Sequence, residues 1–208
     1  MVKRQRNQRG EGSRLKGELI EAAMRILDKS PYTQISLRMV AKEAGVTAPS
    51  VYMQFADAQA LMKEVVHECW RQMASKMRQL LETDAPRSVF DTLLASVRAY
   101  IQYAMERPSR YQLLFDMAGV SALDSVGPVQ PVFRVIAEPV EEMARNNQTV
   151  PLDDPILAAL LVLTIAHGRI ALAHTAPIRT GNLLVNVQEY VERSIKLVFS
   201  GCETIPPA

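Results

Sequence analysis

The chain has 208 residues, 48% of them apolar and 22% charged. Such a length allows one large domain or a small one joined to a larger one, and the composition is that of a globular chain with a proper core, which excludes disorder, collagen and fibre. Two cysteines, Cys69 and Cys202, make no disulfide framework, and the first fourteen residues carry charge without an apolar leader, so a reducing, cytoplasmic setting is expected. The net charge of +2 hides an asymmetry: residues 1–63 hold 11 Lys and Arg against 6 Asp and Glu, whereas residues 64–208 hold 13 against 16. A nucleic-acid-binding head would show such a basic N-terminal third, and so would a solvated basic tail.

Apolar spacing is helical wherever it is clear, and no run alternates with period two, so the predicted fold class is all-α with about nine helices. Residues 57–82 form one long helix, about 39 Å at 1.5 Å per residue, with Met62, Val66, Cys69, Met73, Met77 and Leu80 on one stripe. A second helix over residues 86–107, opened by Pro86, places Phe90, Leu93, Leu94, Val97, Ile101 and Ala104 on one face. A shorter helix over 109–118 stops at Gly119, and 121–127 is a loop. The next helix, 128–146, contains Pro139, which is expected to kink or end it. After a polar linker at 147–152, the start signal Asp153-Asp154-Pro155 opens the most apolar stretch, 156–173. Its uninterrupted apolar run is eleven residues, against roughly 20 for a membrane span. A buried helix, apolar on nearly all sides, is therefore predicted, in the core, at a subunit interface, or both. The last helix, 181–199, turns Leu184, Val187, Val191, Ile195 and Val198 inward.

The informative stretch is ISLRMVAKEAGVTAPSVYMQF, residues 35–55. Two short helices can be built from it. Ser36 caps the first, with Ile35 and Val40 as a hydrophobic staple; Thr47 caps the second, with Val46 and Val51 in the same roles and Pro49 where its missing N–H does no harm. Gly45 supplies the turn, and Ala41 is small enough for the second helix to cross close by. Counted from Leu37, the small residue falls at position five, the glycine at nine and Val51 at fifteen, which is helix-turn-helix spacing. An ordinary helical hairpin needs the same Ala, Gly and Val for packing. In the DNA-binding case Ala48, Pro49, Ser50 and Tyr52 meet base edges near the exposed end of the second helix.

The combination of AGV, then Thr47, Tyr52 and Phe55, then Leu61 six residues on, resembles the TetR family of transcriptional regulators. The likeness runs from an amphipathic helix at residues 14–30 through the hairpin and ADAQALMKEV into the long helix. It implies a basic arm at 1–13 (Lys3, Arg4, Arg6, Arg9), a DNA-binding head at 14–60, an effector-binding and dimerising body at 61–200, and a tail at 201–208. It places Ser36 and Arg38 at the start of the positioning helix, and Thr47, Ala48, Pro49, Ser50, Tyr52 and Gln54 at or beside the recognition helix, with Thr47 and Tyr52 reaching phosphate. Two positions depart from the family pattern: Gln54, where His or Tyr is frequent, and Ala58, where a phosphate-gripping Lys is usual. That anchor then falls to backbone N–H groups at the start of the long helix or to the arm. The segments SVRAYIQYAMERPSRYQLLF and TIAHGRIALAH resemble the subgroup marked by a Trp-His-Gly signature, with His167 and Gly168 present and the tryptophan absent.

The resemblance implies a homodimer joined through the last two helices, a palindromic operator in double-stranded DNA, and release by an unknown, largely apolar small molecule. No cofactor, metal, membrane or enzymatic activity is implied. Trp70, Met73, Met77, Tyr103, Tyr111, Phe115, Phe133 and His167 are candidates for the effector pocket, although aromatic and Met residues at helical spacing equally make plain core. His167 and His174, seven apart, are too widely spaced for a helical metal pair. Cys69 falls on an apolar stripe, as a buried inert thiol would. Open alternatives are a regulator that needs its ligand to bind DNA or that activates, a helical carrier or enzyme using the body alone, and a protein-binding adaptor.

Overall fold

The computed structural model describes residues 11–82, 87–116, 127, 129–175 and 186–200. All regular structure among them is helical: α1 Glu11–Leu27, α2 Leu37–Glu43, α3 Ala48–Tyr52, α4 Ala58–Leu81, α5 Val89–Glu106, α6 Pro108–Asp116, α7 Gln130–Arg145, α8 Pro155–Thr175 and α9 Val187–Ser200. Single 3-10 turns stand at Tyr32–Gln34 and Pro151–Asp153. The arm residues Lys3, Arg4, Arg6 and Arg9, the helix opener Pro86, the stop at Gly119, the loop at 121–126, Leu184 and the tail lie outside the described residues.

The chain forms two compact units: Met1–Cys69 with Ser109–Ser125, and Trp70–Pro108 with Val126–Ala208. In the first unit α1 packs on α2 and α2 on α3. Leu19, Ala22, Ala23 and Leu27 of α1, Val40 of α2, Val51 of α3, and Leu61 and Val65 of α4 are buried. Residues of α6 join this unit, with Tyr111, Leu113 and Leu114 buried. Beside them the nearly buried Arg110 donates through Nε and Nη2 to the two carboxylate oxygens of Asp28, at 2.6 and 2.5 Å. Cys69 is fully buried, and burial pushes its thiol up to about 12, so it stays protonated and acts as packing.

In the second unit α5 packs on α7, α8 and α9, α7 on α8, and α8 on α9. Helix α5 is opened by Ser88, whose Oγ accepts the Asp91 N–H at 3.0 Å. Helix α7 does not end at Pro139 but continues to Arg145. Pro139 is itself buried, and Val132, Val135, Ile136, Val140 and Met143 are buried with it. This apolar burial outweighs the backbone hydrogen bond that proline forfeits, a loss of about 3 kcal/mol in an exposed helix. The helix closes with Asn147 in the left-handed region (φ 57°), its N–H donating to Ala144 O and that of Gln148 to Met143 O, each at 3.0 Å. Asp154 opens α8 by accepting the N–H groups of Ile156 and Leu157 at 2.8 and 3.1 Å. In α9, Val191, Ile195 and Phe199 face inward, whereas Val187 and Val198 are only half-buried.

Helix α8 is only partly buried within this one chain. Within Pro155–His174 only Ala158, Ala159, Val162, Ala166 and Ile170 are buried; the stretch is long and apolar enough to cross a membrane by length and composition alone, a test that the core helix of a soluble protein also passes. Helix α8 is apolar all round, as predicted, but not buried all round: Ile156, Leu157, Leu160 and Leu172 are between 44% and 52% exposed.

The Asp28–Arg110 pair gives a direct test of what holds α6 to α1. Arg110→Met is expected to destabilise the protein by about 1–3 kcal/mol, discounted from a fully buried pair because Asp28 is partly solvated. In a urea-denaturation double-mutant cycle with Asp28→Asn, the two losses should be clearly non-additive; additive losses would remove the pair from the account.

Candidate nucleic-acid interface

The hairpin over residues 35–55 is held by local chemistry. Ser36 is extended (φ −124°, ψ 154°), and its Oγ accepts the Met39 N–H at 3.3 Å, capping α2. The staple residues Ile35 and Val40 are both buried. Gly45 takes φ +66°, which turns the chain so that the Val46 N–H reaches Ala41 O at 2.9 Å. A Cβ at Gly45 would meet nothing within 4 Å, so the glycine is required by torsion and not by space. Ala41 is buried beneath the turn, and Val51 and Phe55 anchor α3 and the chain beyond it.

Thr47 does not cap α3 with its side chain. The backbone is in N-cap geometry, but Oγ1 lies 2.8 Å from Ser50 Oγ instead. The reason is Pro49: a capping side chain bonds the second or third amide of the helix. The second amide is here proline, and the third, Ser50 N–H, donates to Thr47 O at 3.0 Å. The outer surface of the hairpin presents Pro49, exposed, Tyr52, 55% exposed, and Met53, 80% exposed, with Ala48, Ser50 and Gln54 half-buried and Arg38 exposed on α2. Met53 escaped the sequence analysis because a methionine beside an aromatic residue reads as core.

At the start of α4, Asp57 Oδ1 accepts the Ala60 N–H at 2.7 Å. This cap consumes one of the amides considered as a phosphate anchor and sets a carboxylate beside the others. The basic excess of the head is also partly spent internally. Lys16 Nζ lies 2.7 Å from Glu64 Oε1 and 5.9 Å over the Phe55 ring, tying α1 to α4. Arg25 Nε lies 2.9 Å from Glu43 Oε1 and, through that hydrogen bond, holds the Glu43 carboxyl below its usual range.

The eight candidate effector residues divide between the units. Tyr111 and Phe115 belong to the first, their rings 4.8 Å apart and tilted by 49°. Trp70, Met73, Met77, Tyr103, Phe133 and His167 belong to the second. There Trp70, Met73, Met77 and Tyr103 are buried, Phe133 and His167 are half-buried, and the Arg107 guanidinium sits 5.0 Å over the Tyr103 ring. Burial pushes the His167 imidazole below its ordinary value, so it is neutral at pH 7. An open cavity of about 520 Å³ in the same unit is lined by other residues: Phe90, Met143, Gln148, Thr149, Lys196, Phe199 and Ser200. The expected apolar residues of α4 are packed as core, which sequence spacing could not separate from pocket lining.

Residues 19–65 match the family of bacterial regulatory proteins described as the tetR family, and residues 93–198 match the tetracyclin repressor-like C-terminal domain. A protein with unknown function from Rhodococcus sp. RHA1 has a similar fold, with a TM-score of 0.68 at 21% identity over 90% of this chain and 95% of that one. The fatty acid degradation regulator FadR from Bacillus halodurans gives 0.66 at 15% identity, covering 93% and 97%. RolR, in complex with resorcinol, gives 0.62 at 12% identity, covering 97% and 99%. The capped hairpin with its left-handed glycine turn, the all-helical body and the two family matches together place the chain in the TetR family of DNA-binding transcriptional regulators.

Proposed function

We propose that the chain is a homodimeric repressor that binds a roughly palindromic operator and leaves it when a largely apolar small molecule enters the body. The observation that carries the reading is the hairpin. Its inner residues Val51 and Phe55 are fully used in packing, while Pro49, Tyr52 and Met53 stand free on the outer face. An α3 set this way suits the major groove, with Tyr52 and the Thr47–Ser50 pair toward phosphate and the arm residues Lys3, Arg4, Arg6 and Arg9 supplying the charge that Ala58 lacks. The modules are an arm (1–13), a head (14–60), a body (61–200) and a tail (201–208), working in the cytoplasm.

The exposed apolar side chains of α8 and α9 support dimerisation. Leu157, Leu160 and Leu172 on α8, with Tyr190 and Leu197 on α9, leave an apolar surface that a second copy would cover as a four-helix interface. A two-fold axis then asks for a two-fold operator. The body suits a small, largely apolar effector, and Trp70, Met73, Met77, Tyr103, Phe133 and His167, which share the second unit, are its proposed contacts; four of them are packed as core, so a ligand would have to open space among them. Release needs a coupling of about 1–3 kcal/mol between effector and operator, supplied by the ligand's differential affinity for the two states.

Selection of bound duplexes from a random pool by the full-length protein should return a palindrome whose affinity falls steeply with salt. Arg4→Ala with Arg6→Ala is expected to weaken binding to all duplexes alike and to flatten the salt slope by about one for each phosphate no longer neutralised. Tyr52→Ala should nearly abolish operator binding. An unchanged slope in the arm variant would remove the arm from the reading, and failure to enrich any sequence would remove the regulator.

Leu157→Glu with Leu160→Glu tests the interface. Burying charge in place of leucine on both copies should weaken the dimer by at least about 3 kcal/mol. Sedimentation should then find monomers, and operator affinity should fall with dimerisation. A variant that stays dimeric would move the interface elsewhere.

A further inference from the structure

The recognition helix lacks the usual hydrogen-bonding readers of DNA. From Ala48 to Met53 the sequence APSVYM holds no Arg, Lys, Asn, Gln, Asp or Glu, the side chains that pair with base edges in the major groove. Its two small hydroxyls, Thr47 just before it and Ser50 within it, already face one another at 2.8 Å. Arg38 stands on α2, and Gln54 lies beyond the end of α3 and is half-buried, so both flank the helix and neither lies along it.

At about 100° per residue, the line opposite the buried Val51 passes through Pro49 and Met53, four residues apart and stacked as one ridge. The φ and ψ of Met53, −71° and −22°, keep it in helical phase. The part of α3 that projects farthest from the core is therefore apolar. Met53, at 80%, is the most exposed large apolar side chain among the described residues. In the major groove the apolar group on a base edge is the C5-methyl of thymine.

Resting on the DNA-binding reading above, we infer that α3 reads its operator through thymine methyl groups, with Met53 on the Pro49–Met53 ridge as the specificity-determining side chain. The thioether is unbranched and polarisable, so it follows the contour of a methyl without demanding one hydrogen-bond geometry. Each half-site then needs thymine at the base pairs beneath the ridge, and a base that carries the same methyl can stand in for it.

The test uses the full-length protein and the operator it selects, resynthesised with uracil in place of thymine at one position at a time, which removes the methyl and leaves base pairing intact. Uracil beneath the ridge should weaken binding about fourfold per methyl, the factor for one buried carbon group, and uracil elsewhere should change nothing. Met53→Ala, an exposed substitution that leaves the core untouched, should weaken binding to the thymine operator and abolish the difference between thymine and uracil at that position. Operator bound equally well with uracil throughout would overturn the inference while leaving the DNA-binding reading intact, and would transfer recognition to Arg38 or Gln54. A Met53→Ala protein that keeps the full uracil penalty would overturn the role of Met53. A protein that enriches no duplex at all would overturn the DNA-binding reading and this inference with it.

Discussion

A helix of five residues has room for about one turn of hydrogen bonds and cannot persist in water by itself. Helix α3 exists because Val51 and Phe55 are buried, because Gly45 accepts a left-handed torsion that aims the chain across α2, and because Ala41 leaves room at the crossing. These requirements take up the inward-facing positions, so the residues left over are those free to meet something outside. The division of labour on α3 follows from its shortness: every inward position serves packing, and every outward one is open to DNA.

The same economy governs charge. Read as sequence, the head is strongly basic, yet Lys16 and Arg25 are committed to Glu64 and Glu43, fastening α1 to α4 and α2. Arg110 is likewise committed to Asp28. Lys16–Glu64 and Arg110–Asp28 join segments 48 and 82 residues apart, whereas Arg25–Glu43 joins neighbouring helices, and the first and last of these pairs are half exposed. The charge available for phosphate is correspondingly reduced, and at the start of α4 the Asp57 carboxylate occupies the cap where a lysine would have followed. In the proposed reading phosphate binding would then lean on the arm, on Arg38 and on exposed lysines such as Lys42 and Lys63.

Much of this is legible in the sequence, for identifiable reasons. The Ser36 cap, the Gly45 turn and the stripe of α4 each depend on residues close in sequence, and local chemistry decides them. The Thr47 side chain escapes such reading because the second amide of its helix is a proline nitrogen with no hydrogen to donate; at Pro139 the helix does not end, since the buried face outweighs the lost hydrogen bond. Capping of α5 by Ser88 is missed for a simpler reason: a nearby proline is conspicuous in the sequence and a serine is not.

Helix α8 marks the limit of periodicity as a guide. A stripe tells which side is buried only when the other side is polar; where leucine, isoleucine, valine and alanine go all the way round, the hydrophobic pattern carries no directional information. Packing on α5, α7 and α9 consumes one side, and the exposed leucines are what remains. Such a surface would be a liability on a lone subunit, so its presence argues for a partner more strongly than any stripe could. The same blindness affects Trp70, Met73, Met77 and Tyr103: lining a cavity and filling a core ask for the same side chains at the same spacing. Only the packing of neighbouring helices decides between them, which is why the Ser36 cap and the Gly45 turn of the head could be read from the sequence and the body only as a class.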